Sequence, residues 1–465
     1  MTAVERLAEF AVNAPYEELS EAARQQLKIR VLDALGCAIG AVDGEPIRMI
    51  RKNIAEFDAN GKCTLLAGGR ASPDHAAFYN GAAVRYLDFN DSYLARGETC
   101  HPSDNLAPIL AAAEYSGSSG RELLVALAVA YQVQCRLSDV AAVRAAGFDH
   151  TVQGGYAVAA GVARILGLDV TRTANAIAIS GAALNGLRVT RTGKLSHWKG
   201  LAYPHMASCS TAIVFLARRG ITGPLEVIEG EKGLMDAITG LFEIDWSRED
   251  LERVKRTILK KYNAEIHSQT AIDGVLALKQ RHQFQADEVE QVNIEIFDVA
   301  YHIIGGGEEG DKTLGIEAKE QADHSLPYIL AVAILDGKVT PEQYRVDRIR
   351  RPDVQDLLRR VIVSPNAAYS EQFPNEMPCR IGIRLRDGRM LTKEMRDYPG
   401  FFTQPMTWDM AFAKFECLTE AYSTPAERRA IADAVSELEN WKVSDLMRLL
   451  AGIQLPHGCE RSPCG

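Results

Sequence analysis

The sequence predicts a mainly α protein: a large all-helical domain with a smaller α/β (α+β) domain inserted into it. Three observations carry this. From residue 1 to about 285, apolar residues recur at helical spacing. Near residue 286 the pattern changes to strict alternation, as in a half-buried strand. After about residue 395 it returns to helix. The expected division is residues 1–285 plus 396–455 for the helical domain, 286–395 for the inserted domain, and a disordered tail over 456–465.

Taken in order, "LSEAARQQLKIRVLDALGCAIGAV" opens with Ser20, a residue type whose hydroxyl caps the first free N–H groups of a helix. "DHAAFYNGAAVRYLDF", "NLAPILAAAEYSG", "GRELLVALAVAYQVQCRLSD" and "VTRTANAIAISGAALNG" repeat the helical pattern, and most meet Gly or Asn just past their last apolar residue. Their alanine content permits close helix packing. In "VNIEIFDVAY", Val292, Ile294 and Ile296 alternate with Asn293 and Glu295, which predicts a strand. "ADHSLPYILAVAILDGKVT" and "PDVQDLLRRVIV" predict helices. "CRIGIRLRDGRMLTKEM" predicts a hairpin turning at Asp387-Gly388. "WDMAFAKFECLTEAY" and "SDLMRLLAGI" are helical and are expected to fold back onto the first domain.

The chain has 465 residues, 47% hydrophobic and 24% charged, with a formal net charge of −9. That balance suits a soluble globular protein. It argues against nucleic acid as a partner, since a polyanion needs a basic surface and no long Lys/Arg run occurs. A small anion remains a possible ligand, because a few buried cations suffice to bind it. No window was expected to supply the ~20 apolar residues of a membrane span. "MTAVERLAEF" reads as an amphipathic helix rather than a leader, so the expected location is cytoplasmic. The nine cysteines are scattered and include no CxxC pair, which gives a zinc ribbon or an iron–sulfur cluster little support. Cys459 and Cys464 lie in the tail.

Two weak motifs are set aside. "GGGEEG" at Gly305–Gly310 fits a dinucleotide loop, but a polar segment follows it, and Glu308 and Glu309 would repel a pyrophosphate. "SHWK" and "SDN" match two elements of acyl-serine hydrolases in the wrong order and without the third. With no HExxH or facial-triad spacing either, no metal and no cofactor are expected.

The stretch that departs most from ordinary helical core is "YLDFNDSYLARGETCHPSDN", Tyr86 to Asn105. It gathers Asp88, Asp91, Ser92, His101, Ser103 and Asp104. If the turn stays helical, Asp88 and Asp91 share a face and raise each other's pKa. Ser103 is placed to cap the following helix, whose N-terminus would suit a carboxylate. The same stretch also fits a capping loop, with Asp104 and Ser103 as caps and His101 incidental. Further polar groups precede apolar helices: His150 in "GFDHT", Lys199 in "SHWKGLAYPHMA", and Lys260, Lys261, Glu265 and His267 in "LKKYNAEIHSQTAID". Each could be a solvated helix start. Together they offer cations for carboxylates and acids or bases for proton transfer.

These motifs, with "LARRGITGP", "EQADHSLPYILAVAILDG" and "PCRIGIRLRDGR", resemble the MmgE/PrpD family over nearly the whole chain. That family includes 2-methylcitrate dehydratase and cis-aconitate decarboxylase. The resemblance implies a helical domain, an inserted lid domain, a homodimer, and cofactor-free chemistry on small di- or tricarboxylates. It implies catalytic roles for Asp88, His101, His150 and Lys199, and substrate binding by Ser92, Ser103, Lys260, Glu265 and His267. The "AE-x-H-x-QTA" form resembles the dehydratase branch, whereas decarboxylases carry a histidine at the position of Glu265. Where dehydratases carry "TWLAAEWGHPSDN", this chain reads "SYLARGETCHPSDN" with Arg96 added, so its pocket wall is expected to differ. The activity implied is a hydro-lyase acting on a tricarboxylate such as 2-methylcitrate. An epimerase or decarboxylase of a related acid (cis-aconitate, iminodisuccinate) is the alternative, and a non-catalytic homodimer the remaining one.

Overall fold

Ser20 sets the first long helix as its residue type predicts: its hydroxyl accepts from the Ala23 N–H at 3.1 Å and opens Glu21–Ile39. The structure, a computed structural model, describes residues 1–57, 61–193, 195–307 and 310–454. The expected tail with Cys459 and Cys464, and Glu308–Glu309 of the glycine-rich loop, lie outside the described residues. The chain is mainly α with small sheets, and it divides into two compact units. One comprises residues 1–190, 197–258 and those from 406 onward; the other comprises 191–196 and 259–405.

The first unit is built of packed helices. Ser119 and Glu122 form a reciprocal capping box that starts Gly120–Val140. This helix is buried along most of its length and lies against Thr151–Ile165. Small residues let the two approach. A Cβ at Gly161 would stand 3.1 Å from the Cβ of Ala130 and 2.7 Å from Ile109, so larger residues there would push the helices apart. Pro73–Tyr86 packs against Trp198–Arg218. Gly120–Val140 and Trp198–Arg218 do reach the length and hydropathy of a membrane span, contrary to the expectation from sequence. In the first, 83% of the apolar window is buried inside the protein, as in a core helix.

The terminal helices belong to this unit. Trp408–Thr419 packs on Glu21–Ile39 and contributes Lys414. The Lys414 ammonium lies 2.7 Å from Asp33, donates to the Phe89 carbonyl at 2.7 Å, and sits over the Phe89 ring. It thereby ties the C-terminal helix to the segment that follows Asp88. Lys414→Met would leave the Asp33 carboxylate buried opposite an apolar side chain. The expected effect is a loss of unfolding free energy of roughly 3–5 kcal/mol, because removing one member of a buried ion pair leaves the other's charge uncompensated by it. Chemical denaturation of the two proteins measures it, and a loss below about 1 kcal/mol would contradict it.

The second unit centres on a four-stranded sheet in the order Val361–Pro365, Val289–Ile296, Cys379–Leu385, Met390–Met395. The first pair is parallel and the others antiparallel. Val292, Ile294 and Ile296 are buried as the alternation predicts. Ile294 stands opposite Ile381 on one side and Val363 on the other. The hairpin turns at Gly388, whose φ of 89° needs a glycine. One expected element differs. "PDVQDLLRRVIV" is not one helix: it ends at Leu358 and becomes a strand, because β-branched Val361, Ile362 and Val363 pair along the sheet.

The expected boundaries at 286 and 395 move to 259 and 405. The cause is Gln269–His282, a helix expected in the first domain that packs on this sheet instead. A Cβ at Gly274 would fall 2.2 Å from Ile381, so glycine is what allows the helix to approach the strands this closely.

Candidate active site

Arg85 lies on the last turn of Pro73–Tyr86 and is buried. Two residues beyond the helix, Asp88 adopts a left-handed conformation with φ of 52°, which Asp tolerates better than most side chains. This reversal brings the Asp88 carboxylate to Arg85 Nη1 at 2.7 Å. The second Asp88 oxygen stands 3.7 Å from Lys199 Nζ, on the first turn of Trp198–Arg218. Lys199 is 8% exposed, so it is not the solvated helix-start lysine that its position alone would permit.

The left-handed step also separates Asp88 from Asp91. The expectation that they share a helix face is therefore corrected. Asp91 is buried, with one oxygen accepting from the Ser103 N–H at 2.9 Å and the other from the Tyr131 hydroxyl at 2.8 Å. Burial pushes its carboxyl up, against the pull of these hydrogen bonds. Ser103 is corrected too. It sits inside a 3-10 turn, Pro102–Asn105, and makes no side-chain cap. Its hydroxyl accepts from Asn90 at 3.0 Å. The backbone N–H expected to receive a substrate carboxylate thus already holds Asp91.

The same folding back positions His101. A two-residue hairpin, Tyr93–Leu94 with Thr99–Cys100, returns the chain to Asp91 and Ser92. Ser92 is fixed by reciprocal 2.8 Å backbone bonds with Ile258. His101 Nδ1 lies 2.8 Å from the Asp91 carbonyl and 3.1 Å from the Ser92 hydroxyl. Its Nε2 lies 3.1 Å from Arg85 Nη2.

His150 precedes Thr151–Ile165. Its ring centroid is 5.6 Å from that of His101 and 5.7 Å from the Tyr203 ring, on which it stacks. The Tyr203 hydroxyl, with its one proton, faces two acceptors, Asn105 Oδ1 at 3.1 Å and Gln134 Oε1 at 3.2 Å. His150 Nδ1 lies 3.1 Å from Asp149, whose other oxygen is 3.9 Å from Arg188. His150 thus has a carboxylate behind it, while His101 has a backbone carbonyl behind it and a guanidinium in front. A carboxylate partner favours a ring that gains a proton, and a guanidinium disfavours one.

Of the residues expected from sequence, Asp88, Ser92, His101, Ser103, His150 and Lys199 belong to the first unit. Arg85, Asp149 and Tyr203 join them and were not singled out. Arg85 and Asp149 directly flank chosen motifs, in "RYLDFND" and "GFDHT", so adjacency was the available signal.

Lys260, Glu265 and His267 belong to the second unit. They are buried, unlike a solvated helix start. Glu265 accepts from the His267 backbone N–H at 2.8 Å and lies 2.7 Å from His267 Nδ1. Burial pushes the Glu265 carboxyl up, but the attraction and hydrogen bond of His267, with the charges of His324 and Lys260, outweigh it and bring it down to about 2. Glu265 is thus an anion at neutral pH, a partner for His267 rather than a proton donor.

A mainly helical unit thus brings together two imidazoles, a buried lysine and a buried arginine, groups whose chemistry can exchange protons and hold an anion. Residues 5–247 match the MmgE/PrpD N-terminal domain and residues 262–440 the MmgE/PrpD C-terminal domain. The chain belongs to the MmgE/PrpD family. It is similar to cis-aconitate decarboxylase of Mus musculus, 24% identical over 461 residues, with 93% of this chain and 90% of the relative covered. It is also similar to 2-methylcitrate dehydratase of Cupriavidus necator, 28% identical over 414 residues, and of Escherichia coli (strain K12), 27% identical over 421 residues. In both pairs 83% of each chain is covered.

Proposed function

We propose that the protein is a cofactor-independent hydro-lyase that dehydrates a small tricarboxylate such as 2-methylcitrate. The observation that carries this is the pair of imidazoles with opposite partners, His101 against Arg85 and His150 against Asp149, beside the buried Lys199. Dehydration needs one group to take a proton and another to give one. His101, neutral against Arg85, takes the proton from the carbon next to a substrate carboxylate. Charge then develops on that carboxylate as an aci-anion, which Lys199 stabilises. His150, charged against Asp149, gives its proton to the departing hydroxyl, which leaves as water. The carbon–hydrogen electron pair becomes the new double bond.

On this reading the second unit acts as a lid, and Lys260, Glu265 and His267 are its substrate-binding residues. The protein works as a cytoplasmic homodimer, without metal. The relatives named 2-methylcitrate dehydratase and the glutamate at position 265 support dehydration. The similarity to the mouse decarboxylase supports the second reading, in which the same groups protonate a carbon as CO2 leaves.

The test is incubation of the purified protein with 2-methylcitrate, with and without exhaustive chelation. The conjugated double bond of the product is followed by its short-wavelength ultraviolet absorbance. The expected result is formation of an unsaturated tricarboxylate at the same rate in both samples. Activity that disappears on chelation and returns with one metal would overturn the cofactor-free part. Release of CO2 from cis-aconitate, with no dehydration, would favour the second reading.

A further inference from the structure

We propose that Arg85 is a positioning residue that holds His101 neutral, with its proton on Nδ1, throughout the range of pH around neutrality. The argument begins with what each group can do. A guanidinium has only donors. Arg85 Nη2 lies 3.1 Å from His101 Nε2, so Nε2 accepts, and the proton of the neutral ring belongs on Nδ1. Nδ1 faces the Asp91 carbonyl at 2.8 Å, which can only accept. Both contacts therefore select one tautomer. The Ser92 hydroxyl, 3.1 Å from Nδ1, can accept as well and adds no conflict.

A second proton on Nε2 would set an N–H against the N–H of a fixed cation. For that the cation must be permanent and held against the ring while no substrate is bound. Arg85 is 3% exposed and gripped by Asp88 at 2.7 Å, with Asp104 3.7 Å from its Nε. Burial alone would weaken its hold on its own proton, but Asp88, Asp104 and the more distant Asp149 outweigh that, so it stays charged. Asn90 holds Asp104 by a 2.8 Å bond, so the second carboxylate is itself fixed. Other charged or titratable groups near it include the Asp88 and Asp104 carboxylates, both of which face Arg85, the His150 ring, 5.6 Å from His101, and Lys199 beyond Asp88. The His150 ring and Lys199 do not favour an imidazolium at His101: one is a potential cation and the other a cation. The Asp91 carboxylate, which would favour it, is turned to Ser103 and Tyr131.

This deepens the proposed reaction and rests on that reading for its catalytic meaning. A ring held neutral cannot be the acid, so the proton given to the leaving hydroxyl comes from His150. To act as base, His101 must give up the Arg85 bond. A substrate carboxylate that draws the guanidinium toward itself does this, so the base is uncovered only when substrate is present.

The test needs no turnover, which separates its failure from failure of the lyase reading. The protein is labelled with ring-15N histidine, and His101 is assigned by its absence in His101→Gln. The wild-type ring should show the neutral Nδ1–H pattern from about pH 5.5 to 8, without titrating. In Arg85→Gln the ring should take up its second proton at a higher pH than in the wild type. Arg85→Lys, which keeps a cation, should hold the ring neutral. A wild-type His101 that titrates between pH 6 and 7, or carries its proton on Nε2, overturns the proposal, and that measurement stands even if neither Arg85 variant folds. An Arg85→Gln variant that folds and whose His101 takes up its second proton at no higher pH than in the wild type overturns it too.

Discussion

Turnover of His150→Gln is expected to fall by roughly 10²–10⁴ while KM changes little. Glutamine keeps approximate size and can still bond to Asp149, but it carries no proton near neutral pH. The loss should therefore fall on the chemical step. His101→Gln should lower turnover to a similar extent for the complementary reason, the loss of the base. The pH profiles distinguish the two. A working base must be deprotonated, so it sets the acid limb of kcat/KM, which for a ring held neutral lies below about pH 5.5; a working acid must be protonated, so it sets the alkaline limb. The residual activity of His150→Gln should lack the alkaline limb, and that of His101→Gln the acid limb. Well-folded variants that turn over at the wild-type rate would reduce both residues to packing and capping roles. The opposite pattern, with the acid limb lost from His150→Gln and the alkaline limb from His101→Gln, would mean that base and acid are assigned the wrong way round.

Lys199→Met is expected to raise KM by about tenfold or more and to lower kcat by roughly 10²–10³. The side chain is buried, 3.7 Å from Asp88, and its charge is assigned both to holding a substrate carboxylate and to stabilising the aci-anion. Methionine fills similar space without charge. Asp88 keeps its 2.7 Å bond to Arg85 in the variant, so the fold should survive. The split between KM and kcat is informative. A change in KM alone would make Lys199 a binding group only. A change in neither would place the anion elsewhere.

Much of the fold was legible because its signals are local. Ser20 caps where its residue type says it should, and Gly117 and Gly337 end their helices in left-handed conformations. The alternation of Val292, Ile294 and Ile296 gave the central strand. Val361–Pro365 was missed because its partner lies about seventy residues away, and a helical reading of "LLRRVIV" is locally acceptable. The boundary at 259 was missed for a related reason: an amphipathic helix does not announce which domain it covers, and Gly274 becomes meaningful only once Ile381 is opposite it.

The site followed the same division. His101, His150 and Lys199 stood out as polar residues ahead of apolar helices. Arg85 did not, since an arginine near a helix C-terminus is ordinary on any solvated surface. Asp91 and Ser103 were misread because one backbone angle, at Asp88, decides which carboxylate faces inward and which N–H it occupies.

The central claim is that this set of acids, bases and cations removes a proton next to a carboxylate and expels the neighbouring hydroxyl as water. The most direct measurement is proton NMR of the wild-type protein in D2O with 2-methylcitrate, citrate, cis-aconitate and iminodisuccinate in separate tubes. It reads dehydration, deuterium uptake at carbon and loss of CO2 at once. The account predicts that 2-methylcitrate loses water to give an unsaturated tricarboxylate, and that His150→Gln slows this by the factor given above. If the wild-type protein leaves all four acids unchanged, with no proton exchanged at any carbon, the lyase assignment is contradicted.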